Sequence, residues 1–156
     1  MLPVGLSLEK TDGKEGKFEF LEHTADAYIA AYGATMEEAM GNAALAMFEV
    51  MTDTQKISPA TREEVEVEAE DEYALLYNWL EALLVKFEVE GKVFSKFDVH
   101  SIEQSNDGFK LKAAIYGENF NPQKHPQKVG VKAATYHQME FIKEEEKVTL
   151  MFLLDI

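Results

Sequence analysis

The residues best suited to chemistry in this chain are carboxylates and histidines. Asp26 lies in EHTADA, a polar stretch between two apolar runs, and Asp155 stands at the end of MFLLDI, beside the last residue, Ile156. A carboxylate at the tip of an apolar strand, next to an α-carboxylate, admits two readings. One is a frayed end; the other is the start of a cation site held on a rigid strand. If the first and last strands are neighbours, Asp26 and Asp155 converge, and carboxylates crowded together repel unless a cation joins them. The sequence contains no cysteine, and oxygen donors alone suit Ca²⁺, Mg²⁺ or Mn²⁺ rather than a structural zinc. The histidines, His23, His100, His125 and His137, include no HxxxH-like pair. A zinc or proton-transfer site drawn from His23, His125 and His137 would therefore need the fold to gather them. From spacing alone, two aspartates and a chain end make no signature.

Other apparent motifs dissolve on inspection. GKEGK lacks the glycine spacing of a phosphate loop and the Ser or Thr after its lysine. Residues 103–108 mimic part of a calcium loop, but the twelfth position is Ala114 rather than an acid. SNDG at residues 105–108 is better read as a hairpin turn. No nucleophile stands beside a recognisable base.

The elements that must position the acids follow from periodicity. Leu2, Val4, Leu6 and Leu8 alternate as in an edge strand or a tail laid on the domain, and TDGKEGK reads as a linker. Strands are predicted over 18–21 and 28–32. Thr35 and Glu38 then form a capping box for a helix whose Met36, Met40, Met47 and Met51 share helical spacing with Ala39, Ala43 and Phe48. Such a methionine stripe suits core packing more often than a promiscuous binding face. Val65, Val67 and Ala69 alternate with Glu64, Glu66, Glu68 and Glu70, a strand with a solvated acidic face. Asp71 caps a second helix carrying Tyr73, Leu76, Tyr77, Leu80, Leu83, Leu84 and Phe87; Trp79 lies off that stripe, towards a second layer or a partner. Strands over 93–102 and 109–116 flank SNDG. After the loop ENFNPQKHPQK, two final strands are predicted over 129–142 and 147–155. The order ββαβαββββ predicts a single α+β domain, a mostly antiparallel sheet with two helices packed on one face.

Bulk composition narrows the function class. At 156 residues and 46% hydrophobic, the chain can build one sizeable core but not two. Asp and Glu number 29 against 15 Lys and Arg, a net charge of −14. That field opposes direct grip on nucleic acid, which depends on phosphate neutralisation, and favours cations and basic protein surfaces. Lys124, His125, Lys128 and Lys132 cluster loosely and read as a solvated loop. No apolar run approaches a membrane span, and the opening residues lack the features of a secretory leader, so no membrane contact and a cytoplasmic setting are expected.

Four segments occur in order: FLEHTADAYIAAYG, LLYNWLEALL, VKAATYHQMEF and FLLDI. Together they resemble the archease family, small acidic proteins that assist tRNA-splicing ligases of the RtcB type. The resemblance covers residues 18–156 and leaves residues 1–17 as an N-terminal extension. It implies a divalent cation, most often calcium, with Mg²⁺ or Mn²⁺ as alternatives. The ligands it implies are the Asp of the HTAD motif and the last two residues, here Asp26, Asp155 and Ile156. It also implies a non-catalytic role: promoting guanylylation of the ligase's active-site histidine, sustaining multiple turnover and broadening nucleotide use. His23, Lys132 and His137 match positions on the family's functional face, and tRNA would be reached only through the ligase. Two other classes stay open, a metal-dependent phosphate or nucleotide hydrolase and a general chaperone or scaffold using the Met-rich helix.

Overall fold

The computed structural model of the chain describes residues 16–21 and 26–156; the alternation of Leu2, Val4, Leu6 and Leu8 and most of the expected linker lie outside them. The described elements are β1 (Phe18–Leu21), β2 (Asp26–Gly33), α1 (Met36–Met51), a short 3-10 helix (Thr54–Lys56), β3 (Thr61–Ala69), α2 (Glu72–Glu90), β4 (Lys92–Ser105), β5 (Gly108–Asn119), β6 (Ala133–Lys143) and β7 (Val148–Asp155). Their order and the α+β class are those predicted.

Local chemistry accounts for the helix ends. Thr35 Oγ1 accepts the Glu38 amide at 3.1 Å, and Glu38 Oε1 accepts the Ala34 amide at 2.6 Å. The capping box forms, with its return bond one residue upstream of the capping Thr. Asp71 Oδ1 accepts the Ala74 amide at 2.8 Å to open α2. Gly91 closes it at φ 66, a left-handed conformation that glycine adopts without a Cβ penalty.

The strands divide into two antiparallel sheets rather than one, in the orders β1-β2-β7-β6 and β3-β5-β4. Helix α2 touches both β3 and β6, edge strands of the two sheets, and hydrogen-bonds to each. Asn78 Nδ2 donates to the Glu68 carbonyl of β3 at 2.8 Å, and the Ala134 amide of β6 donates to Glu81 Oε2 at 2.8 Å. Backbone groups on these edges thus find partners on a helix, which removes part of the drive for the edges to pair.

Helix α1 packs against β2 and β7 of one sheet and β4 of the other. Burial on several sides explains its run of small and flexible residues: Ala39, Ala43, Ala44 and Ala46 let backbones approach, while Met40 and Met47 fill the gaps. Phe48 meets Phe94 edge-on at 5.8 Å and stacks on Phe97 at 5.7 Å. Trp79 faces neither solvent nor an absent partner. It is fully buried between the helices, its indole N–H donating to the Met40 carbonyl at 2.9 Å.

The connection from β5 to β6 corrects the expectation of a solvated basic loop. His125 is fully buried; its Nδ1 accepts the Asn121 amide at 2.9 Å, so Nε2 carries the proton donated to Glu118 Oε2 at 2.8 Å. Lys124 reaches Glu118 at 2.7 Å, and the Ser58 amide donates to Glu118 at 2.9 Å. Lys128 pairs at 2.7 Å with Glu49, a mostly buried carboxylate that also accepts from Thr54. Burial pushes the Glu49 carboxyl up, but the bonds from Lys128 and Thr54 outweigh it and the net shift is downward. Held this way, residues 120–132 stay out of the ladder, so β6 begins at Ala133.

Two outcomes follow for stability. Trp79→Ala should lose about 3–5 kcal/mol, the usual result of emptying a large aromatic site, whereas Val89→Ala, at a side chain 78% exposed, should stay within about 0.5 kcal/mol. Urea unfolding of the two variants checks the contrast. Glu118 is held down to about 2 from an ordinary 4.5, chiefly by its bond from Lys124 and then by Ser58 and His125. A depressed carboxyl contributes stability above its unfolded value that is lost as pH falls towards the folded one. Thermal melts should therefore show the wild-type advantage over Glu118→Gln shrinking between pH 4.5 and about 2, with little change in that advantage from pH 5 upward.

Candidate functional site

Strands β2 and β7 lie side by side, and their register places Asp26 directly opposite Asp155 at the end of the sheet. Asp155 is also flanked by Ala133 of β6, while the Lys132 amide donates to the Asp155 carbonyl at 2.7 Å. Period-two alternation sets which face each residue takes. Ala27, Ile29, Leu154 and Phe152 turn into the core; Asp26, Tyr28, Asp155 and Leu153 share the opposite face. Directly opposed side chains in an antiparallel pair sit within about 5.5 Å at Cβ, and like charges so placed destabilise.

More negative charge lies on the same face. Tyr28 is pushed above the ordinary phenol range by burial and by the Glu140 carboxylate, which reaches it across β7. Asp155 is exposed, and Ile156 is partly buried with its side chain packed on the core. The last strand is therefore anchored through to its final residues. The donor set consists of carboxylate oxygens, which fits a hard cation such as Ca²⁺ and does not fit thiophilic metals. Among the described residues no three His, Asp or Glu side chains gather as a ready metal cage. Were a cation to sit between Asp26 and Asp155, their two side chains would fill only part of its shell, and the Ile156 carboxyl group would be the next donor in sequence.

The expected functional face is brought together in part. Lys132 is exposed just before β6, its backbone tied to Asp155. His137 is exposed on a bulge: Thr135 pairs with Leu153 and Glu140 with Met151, so residues 136–139 stand opposite Phe152 alone. The His137 amide donates to Thr135 Oγ1 at 3.0 Å, and Gln138 takes φ 59, a left-handed conformation uncommon for a residue with a Cβ. His23 lies outside the described residues. His100 is exposed 3.7 Å from Asp98, and His125 is the buried anchor described above, so His125 and His137 do not form a joint site.

Sequence reasoning missed the support of this region by α2. Tyr77 stacks on Tyr136 at 4.6 Å and 6°, Tyr73 meets Phe141 at 4.7 Å, and Glu81 accepts the Ala134 amide. The available signal was the i, i+4 series Tyr73, Tyr77, Glu81, which places all three on one helix face. The adjacent Glu72 pairs with Lys143 of β6 at 2.6 Å.

Comparison with known proteins agrees with this architecture. The model of the Archease protein family matches residues 18–156. The protein archease of Sulfurisphaera tokodaii is 46% identical over 140 residues, which span 90% of this chain and 99% of that one. The protein archease of Thermococcus kodakarensis is 50% identical over 127 residues, 81% of this chain and 89% of that one. The solution structure of protein 1598 of Methanobacterium thermoautotrophicum is similar at a TM-score of 0.76 and 40% identity, covering 89% of this chain and 98% of that chain. The crystal structure of an archease, possible chaperone, from Thermotoga maritima is similar at a TM-score of 0.55 and 19% identity over 87% and 94% of the two chains, a likeness of fold alone. With one family model spanning both strands that carry the facing aspartates, and relatives at such identity along most of their length, the chain belongs to the archease family.

Proposed function

We propose that this chain is a non-catalytic, cation-binding activator of an RtcB-type tRNA-splicing ligase, promoting guanylylation of the ligase, supporting its multiple turnover and broadening its nucleotide use. The observation that carries the proposal is the register of Asp26 against Asp155 beside Ile156. It sets like charges face to face at a strand end, an arrangement with a use if a cation joins them. Asp26, Asp155 and the carboxyl group of Ile156 hold the ion in this reading, which neutralises that end of the sheet. Lys132 and His137 contribute to the contact face in this reading, to which the family resemblance adds His23. Calcium is the first choice of ion, with Mg²⁺ or Mn²⁺ as alternatives. The ligase is the direct partner, in the cytoplasm, and tRNA is engaged only through it.

Charge supports a protein partner over RNA. At −14, association with a basic enzyme is favoured and phosphate is repelled. The scaffold alternative needed an exposed methionine face, but Met40, Met47 and Met51 of α1 are buried. A guanylylation assay of the ligase with and without this chain tests the proposal. GTP turnover by the purified chain alone, abolished in Asp26→Ala, would favour the hydrolase instead.

Asp26→Ala should keep its far-UV circular dichroism and weaken calcium binding by roughly tenfold or more, as loss of a charged oxygen ligand does. It should also depress ligase stimulation; undiminished stimulation would remove Asp26 from the mechanism. A tag appended after Ile156 should leave folding intact while weakening calorimetric Ca²⁺ binding and stimulation, because the α-carboxylate is lost and the shell crowded. The same tag before Met1 should leave both unchanged. Equal affinities in the two proteins would leave Asp155 without help from Ile156.

A further inference from the structure

The α2 face that supports β6 carries more exposed aromatic surface than packing requires. Tyr136 keeps half of its surface open and Tyr73 about 41%. One side of the Tyr136 ring is covered by Tyr77 at 4.6 Å and 6°, which presents a flat shelf with a fixed ring orientation. A shallow cleft beside it is lined by residues 70–74 and Tyr136. Its acids differ in how far they are engaged. Both Glu72 oxygens are bonded to Lys143, and Asp71 uses Oδ1 on the Ala74 amide, leaving Oδ2; Glu70 is exposed.

We propose that the tyrosine shelf of Tyr73, Tyr77 and Tyr136, edged by Glu70 and Asp71, is the docking surface for an arginine-bearing segment of the protein partner. This rests on the reading above that the chain acts through a basic protein. A guanidinium is planar and weakly hydrated; it stacks on an aromatic face while its N–H groups reach a neighbouring carboxylate. The shelf offers both features within one cleft. A phosphate-bearing partner would meet carboxylates, with no basic side chain lining the cleft among the described residues. The potential there is negative enough to raise the Tyr136 phenol, after burial, through Asp71, Tyr77 and Glu70. The positive end of the α2 dipole opposes a cation, but its field is met by Glu70, Asp71 and Glu72 against one ammonium, Lys143. Helix and bulge hold the rings in place before binding, so little side-chain order remains to be lost when a guanidinium docks.

The test uses the full-length chain and a short peptide of alternating arginine and glycine, with a glutamate-for-arginine peptide as control. NMR titration should move the signals of Tyr73, Tyr136 and Glu70 with the arginine peptide and leave them still with the control. Tyr136→Ala should weaken the peptide about tenfold, as loss of an aromatic anchor does. Glu70→Lys, an exposed change outside the ring packing, should weaken it in the same direction and carries the test if Tyr136→Ala does not fold. In a ligase assay, the concentration of chain giving half-maximal stimulation should rise by a similar factor for both variants, while calorimetric Ca²⁺ affinity stays at the wild-type value. Peptide affinity unchanged in both variants, shifts mapping elsewhere, or preferential binding of a polyphosphate at this cleft would overturn the proposal. No ligase stimulation by the wild-type chain would instead overturn the activator reading, and the peptide titration would then judge the surface alone.

Discussion

Helix α2 holds two sheet edges apart, and much of the architecture depends on that placement. A strand edge presents unpaired amides and carbonyls that will pair with any compatible strand. β3 and β6 are such edges, belonging to different sheets, and α2 contacts both. Asn78 and Lys86 reach β3 at Glu68 and Glu63, while Glu72, Tyr77 and Glu81 reach β6 at Lys143, Tyr136 and Ala134. The apolar face between them, with Leu76, Trp79, Leu80 and Leu83, is fully buried. One helix thus contributes to the core and satisfies polar groups on either side of it.

That arrangement extends to the candidate cation site. Glu81 holds the Ala134 amide, and two residues earlier the Lys132 amide holds the Asp155 carbonyl. Between these bonds, Ala133 pairs with Asp155, which pairs in turn with Asp26. The carboxylates therefore stand on the closing rung of a ladder whose outer strand is tied to a helix. Rigid placement matters for a hard cation, because charge count and oxygen number determine affinity only if the oxygens are already near one another.

The chain is strongly acidic, yet several of its cations serve internal joints. Lys86 and Lys92 meet at Glu63, Lys124 closes on Glu118, Lys128 on Glu49 and Lys143 on Glu72. Exposed pairs of this kind contribute little singly; Lys128 with the mostly buried Glu49 contributes more, since an unpaired carboxylate there would be uncompensated. Lysines engaged in this way are poorly placed to grip phosphate. Lys132, like Lys56 and Lys112, is exposed and takes no part in these joints, and its backbone is tied to Asp155.

What the sequence determined by itself is local. Thr35 with Glu38, Asp71, and SNDG acted through neighbours within a few residues, and the helix ends and hairpin formed where those residues predict. The α+β order followed from hydrophobic period, which burial of one face enforces on each element separately. Tertiary structure decided the rest. Trp79, which the sequence pattern set off the stripe, joined the buried face of α2 with Leu76, Leu80 and Leu83, its N–H taken by a carbonyl of α1, and His125 became a buried anchor because Glu118 and the Asn121 amide took both ring nitrogens. The division into two sheets is not written in any local pattern; in the fold, side chains of α2 bond to an edge strand of each sheet, one before and one after it in the chain. The facing of Asp26 and Asp155 depended on the register of two strands more than a hundred residues apart. A one-residue slip would send both aspartates to other partners, and only the packed core, with Ile29 against Phe152 and Ala31 against Leu150, excludes it.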